Sequence, residues 1–387
     1  MIVDRAISEK SISKFFWNEL PQPVVGLAPM DGVSDHPFRH IQKKYGRPPV
    51  VFTEFTSVEG VCLGNFRTLR DFLYDETQRP IVAQIYGHVP DYFRQTAILL
   101  CQLGFDGIDI NMGCPAKNIA NSGSGAGLIR TPDLAQTIVR ATQQGILEWS
   151  NGATVDDCTD LSQEIRAEVK NRQARLPMIY QQHDTIPLSI KTRTGYETPV
   201  TESWISTLLE LDPALISLHG RTLEQKYSGK ADWDEIGKAA QLAKGTSTLV
   251  FGNGDVTSKQ QAIERSKNYQ THGVLIGRAS MGNPYIFCTD QKRFNEKGEP
   301  TYPDLCYTLG AVALEHAKLY EKTYSHYTKY QFMPMRKHLS WYAMGIPGAR
   351  KLRARLVHTH SPDDAATILA DLGLPLELEA SPINLAY

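Results

Sequence analysis

Eight short apolar segments, helix-length stretches between most of them, and strands that read as apolar on both faces predict an α/β fold. The architecture expected is a (β/α)8 TIM barrel followed by a small all-helical C-terminal domain. The segments fall at 24–30, 50–55, 81–86, 107–112, 188–194, 215–219, 248–252 and 273–276, each bounded by Gly, Pro or Asp. Helical stretches at 91–103, 132–144, 201–210 and 258–267 alternate with them, which argues for parallel pairing with helices outside. A doubly wound sheet is the alternative, but it needs a topological break that the order of segments does not contain.

One connection is long. From 144 to 187 the chain exceeds a crossover, and Asp160 with Gln163 predicts a capping box opening a charged helix at 161–175. Glu168 and Arg172 stand at i, i+4 spacing on that helix. This insertion, about 145–187, reads as a solvated excursion on the barrel rim; a substrate-gripping role is the lesser alternative. After Ile286 the alternation stops. Leu305, Leu309, Val312, His316 and Leu319 mark one helical stripe, 334–344 is stopped by Gly345 and Pro347, and 348–358 follows. Ser361-Pro362-Asp363-Asp364 supplies an N-cap serine, proline at the first helical position and an acid three on. The division is a catalytic barrel at 1–290 and a helical domain at 291–387.

With 41% hydrophobic and 21% charged residues among 387, disorder and collagen-like structure are excluded. Met1-Ile2-Val3-Asp4-Arg5 does not lead into the apolar core of a secretory signal, and no run is long enough to span a bilayer, so a cytoplasmic protein is expected. Cysteines at 62, 101, 114, 158, 288 and 306 form no C-x-x-C pair, so reduced thiols and no metal are expected. A net charge of −1 gives no global field for a polyanion. The basic residues are instead local. Lys318, Lys322, Lys329, Arg336, Lys337, Arg350, Lys351, Arg353 and Arg355 share a stretch from 301 whose acids before 361 are Asp304, Glu315 and Glu321.

In a parallel barrel the active site forms at the strand C-termini. There the sequence places Pro29 and Met30, Glu54, Gln84, Asn111 and Cys114, Lys191 and Arg193, His219 and Arg221, Asn253-Gly254-Asp255, and Gly277-Arg278. This set is rich in donors and cations, with one thiol. It holds neither the facing carboxylates of a glycosidase nor a Ser-His-Asp grouping. Cys114 ends the run Asp109-Ile110-Asn111-Met112-Gly113-Cys114-Pro115, so its thiol is presented at a turn, where it can exchange a proton above a bound ring. Asn253-Gly254-Asp255 and Gly277-Arg278 occupy the two loops that commonly bind phosphate in this fold. Lys191 at a strand end must reach water or meet negative charge, which a phosphorylated, electron-rich cofactor supplies. Gly123-Ser124-Gly125-Ala126-Gly127 does not follow a strand directly, so it reads as a loop rather than a dinucleotide fingerprint. Taken singly, His219 could be a satisfied rim residue, Gln84 a core amide and Asp255 a turn residue; their convergence favours a site.

At these residues the sequence resembles the dihydrouridine synthases, flavoenzymes that reduce specific uridines in tRNA. The likeness runs through Ala28-Pro29-Met30-Asp31-Gly32-Val33 with Pro37-Phe38-Arg39, Ala83-Gln84-Ile85-Tyr86-Gly87, the 109–115 run and Ile190-Lys191-Thr192-Arg193-Thr194-Gly195. It continues through His219-Gly220-Arg221-Thr222, Tyr227-Ser228-Gly229-Lys230-Ala231-Asp232-Trp233, Asn253-Gly254-Asp255, Ile276-Gly277-Arg278 and Met335-Arg336-Lys337-His338. The resemblance implies FMN at the barrel mouth, with Pro29, Met30, Asp31, Gln84, Lys191 and His219 beside it and its phosphate held by Asn253, Gly254, Asp255, Gly277 and Arg278. It implies hydride transfer from reduced FMN to uracil C6, a proton from Cys114 to C5, and uracil contacts from Asn111, Arg193 and Arg221. NADPH (or NADH) would be the electron donor, and Arg336, Lys337, Arg350 and Arg353 would contact tRNA. A monomer is expected. The 144–187 segment is longer than the family usually carries, which bears on substrate choice. Three rivals are a barrel flavin dehydrogenase acting on a small molecule, a catalytically silent tRNA-binding protein, and an isomerase of phosphorylated sugars; the last gives no reason for Cys114 or Lys191.

Overall fold

The computed structural model describes residues 15–226, 228–287, 303–344, 348–371 and 373–377, without the side chains of Phe15 and 303–307. The N-terminal run, Tyr227, Cys288, the Gly345–Pro347 stop and the side chains of Leu305 and Cys306 lie outside the described residues. The described chain divides into two units. The first takes the residues up to His36, Pro49–Val256 and Gln261–Gly277; the second takes Pro37–Pro48, Thr257–Gln260 and the residues from Arg278 on.

The first unit holds the strands β1 (Val24–Leu27), β2 (Val51–Phe52), β3 (Thr56–Ser57), β4 (Ile81–Tyr86), β5 (Gly107–Met112), β6 (Leu188–Gly195), β7 (Leu215–Thr222), β8 (Leu249–Asn253) and β9 (Gly273–Ile276). They pair in parallel in the order β1-β9-β8-β7-β6-β5-β4-β2, and β3 also lies along β4. The Leu27 N–H donates to Val50 O at 3.1 Å, which links β1 to the segment entering β2. Since β2 and β3 share one neighbour, the barrel has eight staves. The second stave is broken where Gln84 N donates to the Thr53 hydroxyl at 2.9 Å, a side chain standing in for a ladder carbonyl.

The strands are not apolar on both faces as the sequence predicts. Alternation turns Val82 and Gln84, Asp109 and Asn111, and Ser189 and Lys191 to one face, where their hydrogen bonds cross from strand to strand. Ile108, Ile110 and Met112 take the other face of β5, and all are buried. Trp17, on the short helix α1 (Phe15–Glu19), packs in one cluster with Val24, Phe52, Val82, Leu215 and Phe251. The interior is therefore apolar near the strand starts and polar toward their ends.

The helices around this sheet include α3 (Val58–Cys62), α4 (Pro90–Gln102), α5 (Lys117–Asn121), α6 (Pro132–Ser150), α8 (Thr201–Leu209) and α9 (Trp233–Leu242), with α10 (Lys259–Asn268) next in the chain. The start of the predicted insertion, 145–150, belongs to α6, which runs to Ser150 rather than stopping at 144. The charged helix is α7 (Gln163–Gln173), and its N-cap is Ser162, whose hydroxyl accepts from Ile165 N. Asp160 does not cap it, because the Asp160 carboxylate accepts from Gln95 Nε2 of α4 at 2.6 Å. A capping box does form nearby, between Thr154 and Asp157. Glu168 and Arg172 pair at 2.7 Å.

The second unit contains α2 (His36–Gly46, from Pro37), α11 (Pro303–Tyr324), α12 (Met333–Tyr342), α13 (Ala349–Leu356) and α14 (Pro362–Ala370). Ser361 caps α14 through Asp364 N at 3.1 Å. Phe38, His316, His338 and Tyr342 form its interior, with the two imidazoles 4.9 Å apart and both pushed low by burial. No described helix is long and apolar enough to cross a membrane. Among the described residues no group of three or more His, Cys, Asp or Glu is arranged to hold a metal.

Candidate active site

Cys114 is 8% exposed at the turn after β5, and the turn is fixed from two sides. Asn111 Oδ1 accepts from Gly113 N at 3.0 Å and from Cys114 N at 2.8 Å, while Arg193 Nε donates to Gly113 O at 2.6 Å. Burial pushes the thiol above its ordinary range, so it stays protonated at neutral pH; Asp31 adds to this, and Arg193 and Lys191 oppose it.

Beneath the turn lies a buried polar chain. Gln84 Nε2 donates to Asp109 Oδ2 at 2.7 Å, Asn111 Nδ2 donates to Gln84 Oε1 at 3.0 Å, and Ser189 donates to Asp109 Oδ1 at 2.6 Å. Burial pushes the Asp109 carboxyl up to about 6, against its hydrogen bonds and the nearby Lys191 cation. Lys191 Nζ donates to Asn253 Oδ1 at 3.3 Å, and Asn253 Nδ2 is anchored on Leu275 O at 2.8 Å. Desolvation, helped by the Arg193 charge, lowers Lys191 to about 8, with Asp109 and Cys114 pulling the other way. An ammonium held there against a neutral amide is poised for an anionic or electron-rich partner.

Two glycines differ in what surrounds them. Gly254 lies at φ +128, and a Cβ there would fall 2.6 Å from Ala231 Cβ and 3.1 Å from His219 Cδ2, so the turn closes on the His219 ring. At Gly277 a Cβ would sit in ordinary contact with Met30 Sδ at 3.5 Å and Ala28 Cβ at 3.7 Å, so the ends of β1 and β9 pack closely without a clash there. Met30 itself heads a turn in which Ser34 Oγ accepts from Met30 N at 2.8 Å. Pro29 is half-buried beside it, and Asp31 is exposed. Arg278 is exposed and opens the last segment of the second unit.

Several expected substrate contacts are already occupied by the protein. Arg221 is 2% exposed; its Nη2 donates to Asp255 Oδ2 and to Gly229 O, both at 2.7 Å, and its Nη1 lies 3.5 Å from His219 Nε2. Asp255 also accepts from Ala231 N at 2.8 Å, so it ties the loop after β7 to the turn after β8. Arg193 Nη1 donates to Thr222 O at 3.1 Å. In the second unit Arg336 donates through Nε to Thr359 O at 2.7 Å, and Lys337 is half-buried. Arg350 and Arg353 are exposed on α13 with Lys351.

The sequence reading passed over Asp109 and Tyr86 as individual residues. Both stand in the quoted motifs, and counting by twos from Gln84 and Asn111 would have turned them to the same face. Tyr86 is half-buried, its phenol is pushed up by burial, and Cys114, Asp31 and Glu59 are among the charges that act on it.

A parallel barrel that gathers a thiol, a desolvated lysine and a tight glycine turn at its strand C-termini belongs to the class of TIM-barrel enzymes. A family model described as "Dihydrouridine synthase (Dus)" matches residues 26–147 and 176–374. The probable tRNA-dihydrouridine synthase of Staphylococcus aureus (strain MRSA252) is 33% identical over 359 residues, 92% of this chain and 94% of that one. The probable tRNA-dihydrouridine synthase 2 of Bacillus subtilis (strain 168) is 32% identical over 365 residues, 92% and 96% of the two chains. Among solved structures, the old yellow enzyme homologue from Zymomonas mobilis is similar at 13% identity and a TM-score of 0.39, over 73% of this chain and 88% of that one. The chain belongs to the dihydrouridine synthase family. The unmatched stretch, 148–175, includes α7.

Proposed function

We propose that the protein is an FMN-dependent tRNA-dihydrouridine synthase that reduces the C5=C6 bond of specific uridines in tRNA, with Cys114 as the proton donor. The carrying observation is the fixed turn: Asn111 and Arg193 both hold the backbone that presents a buried, protonated thiol within the electrostatic reach of Lys191.

The residues suit FMN. Lys191, the Asn253-Gly254-Asp255 turn, Gly277, and Pro29, Met30 and Asp31 would hold it, with Gln84 and His219 alongside. FMN bound there, with NADPH (or NADH) as electron donor, would supply the hydride that uracil C6 accepts. The charge that develops toward C5 is met by the Cys114 proton, moved from Sγ to C5. Donors fixed near the turn, Asn111, Arg193 and Arg221, then act chiefly by orienting backbone and loop rather than as long flexible arms. A uridine must leave its stack to reach the thiol, at a cost of a few kcal/mol, roughly. Phosphate contacts from Arg350, Arg353 and Lys351 would offset it, so binding weakens with salt.

The test is to map dihydrouridine in tRNA from cells lacking the protein, then complement with the parent and with Cys114→Ala. Loss at defined positions, restored by the parent alone, is expected. An unchanged dihydrouridine map refutes the proposal.

A further inference from the structure

Glu59, at the second position of α3, collects more donors than a surface carboxylate needs. The backbone N–H groups of His88 and Val89 donate to Oε1 at 2.7 and 3.3 Å, and Ser57 Oγ donates to Oε2 at 2.9 Å. Helix α4 starts at Pro90 with Val89 as an N-cap that has no side-chain oxygen, so Glu59 supplies its anionic cap from another helix. The fit is close: a Cβ on Gly87 would lie 2.6 Å from both Glu59 oxygens.

From the cap the arrangement continues toward the thiol. His88 Nδ1 lies 3.3 Å from Glu59 Oε1 and 3.3 Å from the hydroxyl of buried Ser124. With its proton on Nδ1 the ring donates to the Ser124 hydroxyl, and the Glu59 carboxylate lies at ion-pair distance from the same nitrogen. Ser124 precedes Gly125, where a Cβ would fall 3.2 Å from both Cys114 Cβ and Cys114 O, and Ala126 N donates to Cys114 O at 3.3 Å. Thus the loop packed against the thiol is held by one imidazole, which is held by one carboxylate.

We propose that Glu59 and His88 are positioning residues that set the Cys114 turn through Ser124, in addition to Asn111 and Arg193. They touch neither the thiol nor the reacting atoms. The inference rests on the proposed role of Cys114, and its test separates the two.

The His88 side chain is 44% exposed and outside the core, so its replacement is expected to leave the fold intact. Alkylation of Cys114 by iodoacetamide, followed by mass spectrometry in protein without tRNA, reads the freedom of the turn. The rate is expected to rise about tenfold in His88→Ala and in Ser124→Ala, and to return in His88→Asn, whose amide reaches the Nδ1 position. In single turnover, tRNA should oxidise the reduced flavin about tenfold more slowly in His88→Ala, while reduction by NADPH stays at the parent rate. Parent alkylation and oxidation rates in His88→Ala overturn the inference, as does a His88→Asn variant as impaired as the alanine. A parent protein that makes no dihydrouridine refutes the proposed function instead, and the alkylation result still decides this inference.

Discussion

Replacing Lys191 by methionine should stabilise the flavin-free protein while weakening its hold on flavin. Burial takes this lysine from its ordinary 10.5 to about 8. At ~1.4 kcal/mol per pH unit, that displacement means about 3 kcal/mol of cost for keeping the charge in the folded protein. Methionine fills similar space without the charge, but it leaves Asn253 Oδ1 without its donor, a loss of about 1–2 kcal/mol. The desolvation cost wins by roughly 1–2 kcal/mol at pH 7.

The sign fixes the pH window. The folded pKa lies below the unfolded one, so the cost is fully present below pH 8, where both states carry the proton. Between about 8 and 10.5 the unfolded chain still binds a proton that the native state has lost, and the parent gains stability as pH rises. Urea unfolding of flavin-free parent and Lys191→Met from pH 7 to 10.5 should therefore show a gap that narrows. FMN titration should show affinity down by about tenfold or more, as for loss of a charge-assisted hydrogen bond. A variant less stable than the parent at pH 7, or a gap that ignores pH, refutes the reasoning.

Cys114→Ala should retain flavin absorbance and lose most dihydrouridine formation; an unchanged yield removes the thiol from the chemistry. Reversing Arg350 and Arg353 to glutamate should raise the tRNA dissociation constant and flatten its salt dependence, since each phosphate contact contributes about −0.9 to the log–log slope on a duplex; equal binding in filter or mobility assays would defeat the idea. Arg221→Ala removes one donor of part-exposed Asp255, which keeps Ala231 N, and the donor of the Gly229 carbonyl; a loss of about 2 kcal/mol in urea unfolding is expected, and a loss near zero would mean the pair is dispensable. Gln102→Leu should cost about 1–3 kcal/mol, because Val155 N then has no acceptor and Gln173 no donor; a neutral result would mean the insertion re-forms its bonds elsewhere.

What the sequence makes legible here is whatever depends on neighbours in the chain. The eight staves follow from short apolar runs, and the Ser361 cap follows from four consecutive residues. Partners distant in sequence are another matter. Arg193 and Arg221 read as outward-reaching cations, yet one is spent on Gly113 O eighty residues away and the other on Asp255, thirty-four away. Nothing local announces either pairing. Asp160 looked like a cap for the same reason: its spacing to Gln163 is visible in the chain, whereas its bond to Gln95, sixty-five residues back, is not. The positions of Lys191, Asn111 and Cys114 survive this limit because strand ends in a closed barrel converge whatever the side chains do afterwards.

The insertion is where local reading goes furthest astray, and α4 shows why. Its residues from Gln95 to Gln102 are buried at every position, two full turns, so this helix has no solvated stripe there. A barrel helix needs a second cover for that, and the 148–175 stretch supplies one: Asp160 N donates to Gln95 Oε1, Val155 N donates to Gln102 Oε1, and Gln102 Nε2 donates to Gln173. The chain then turns under the barrel, where Tyr180 faces the Arg79 guanidinium at 3.3 Å, just ahead of β4. That is the strand-start end, opposite the thiol. A segment committed to covering α4 and closing the strand starts is not an arm over the mouth, so the substrate-gripping alternative loses its geometry. The stretch that the family model leaves unmatched is then a requirement of this α4, whose buried amides would be left unpaired without it.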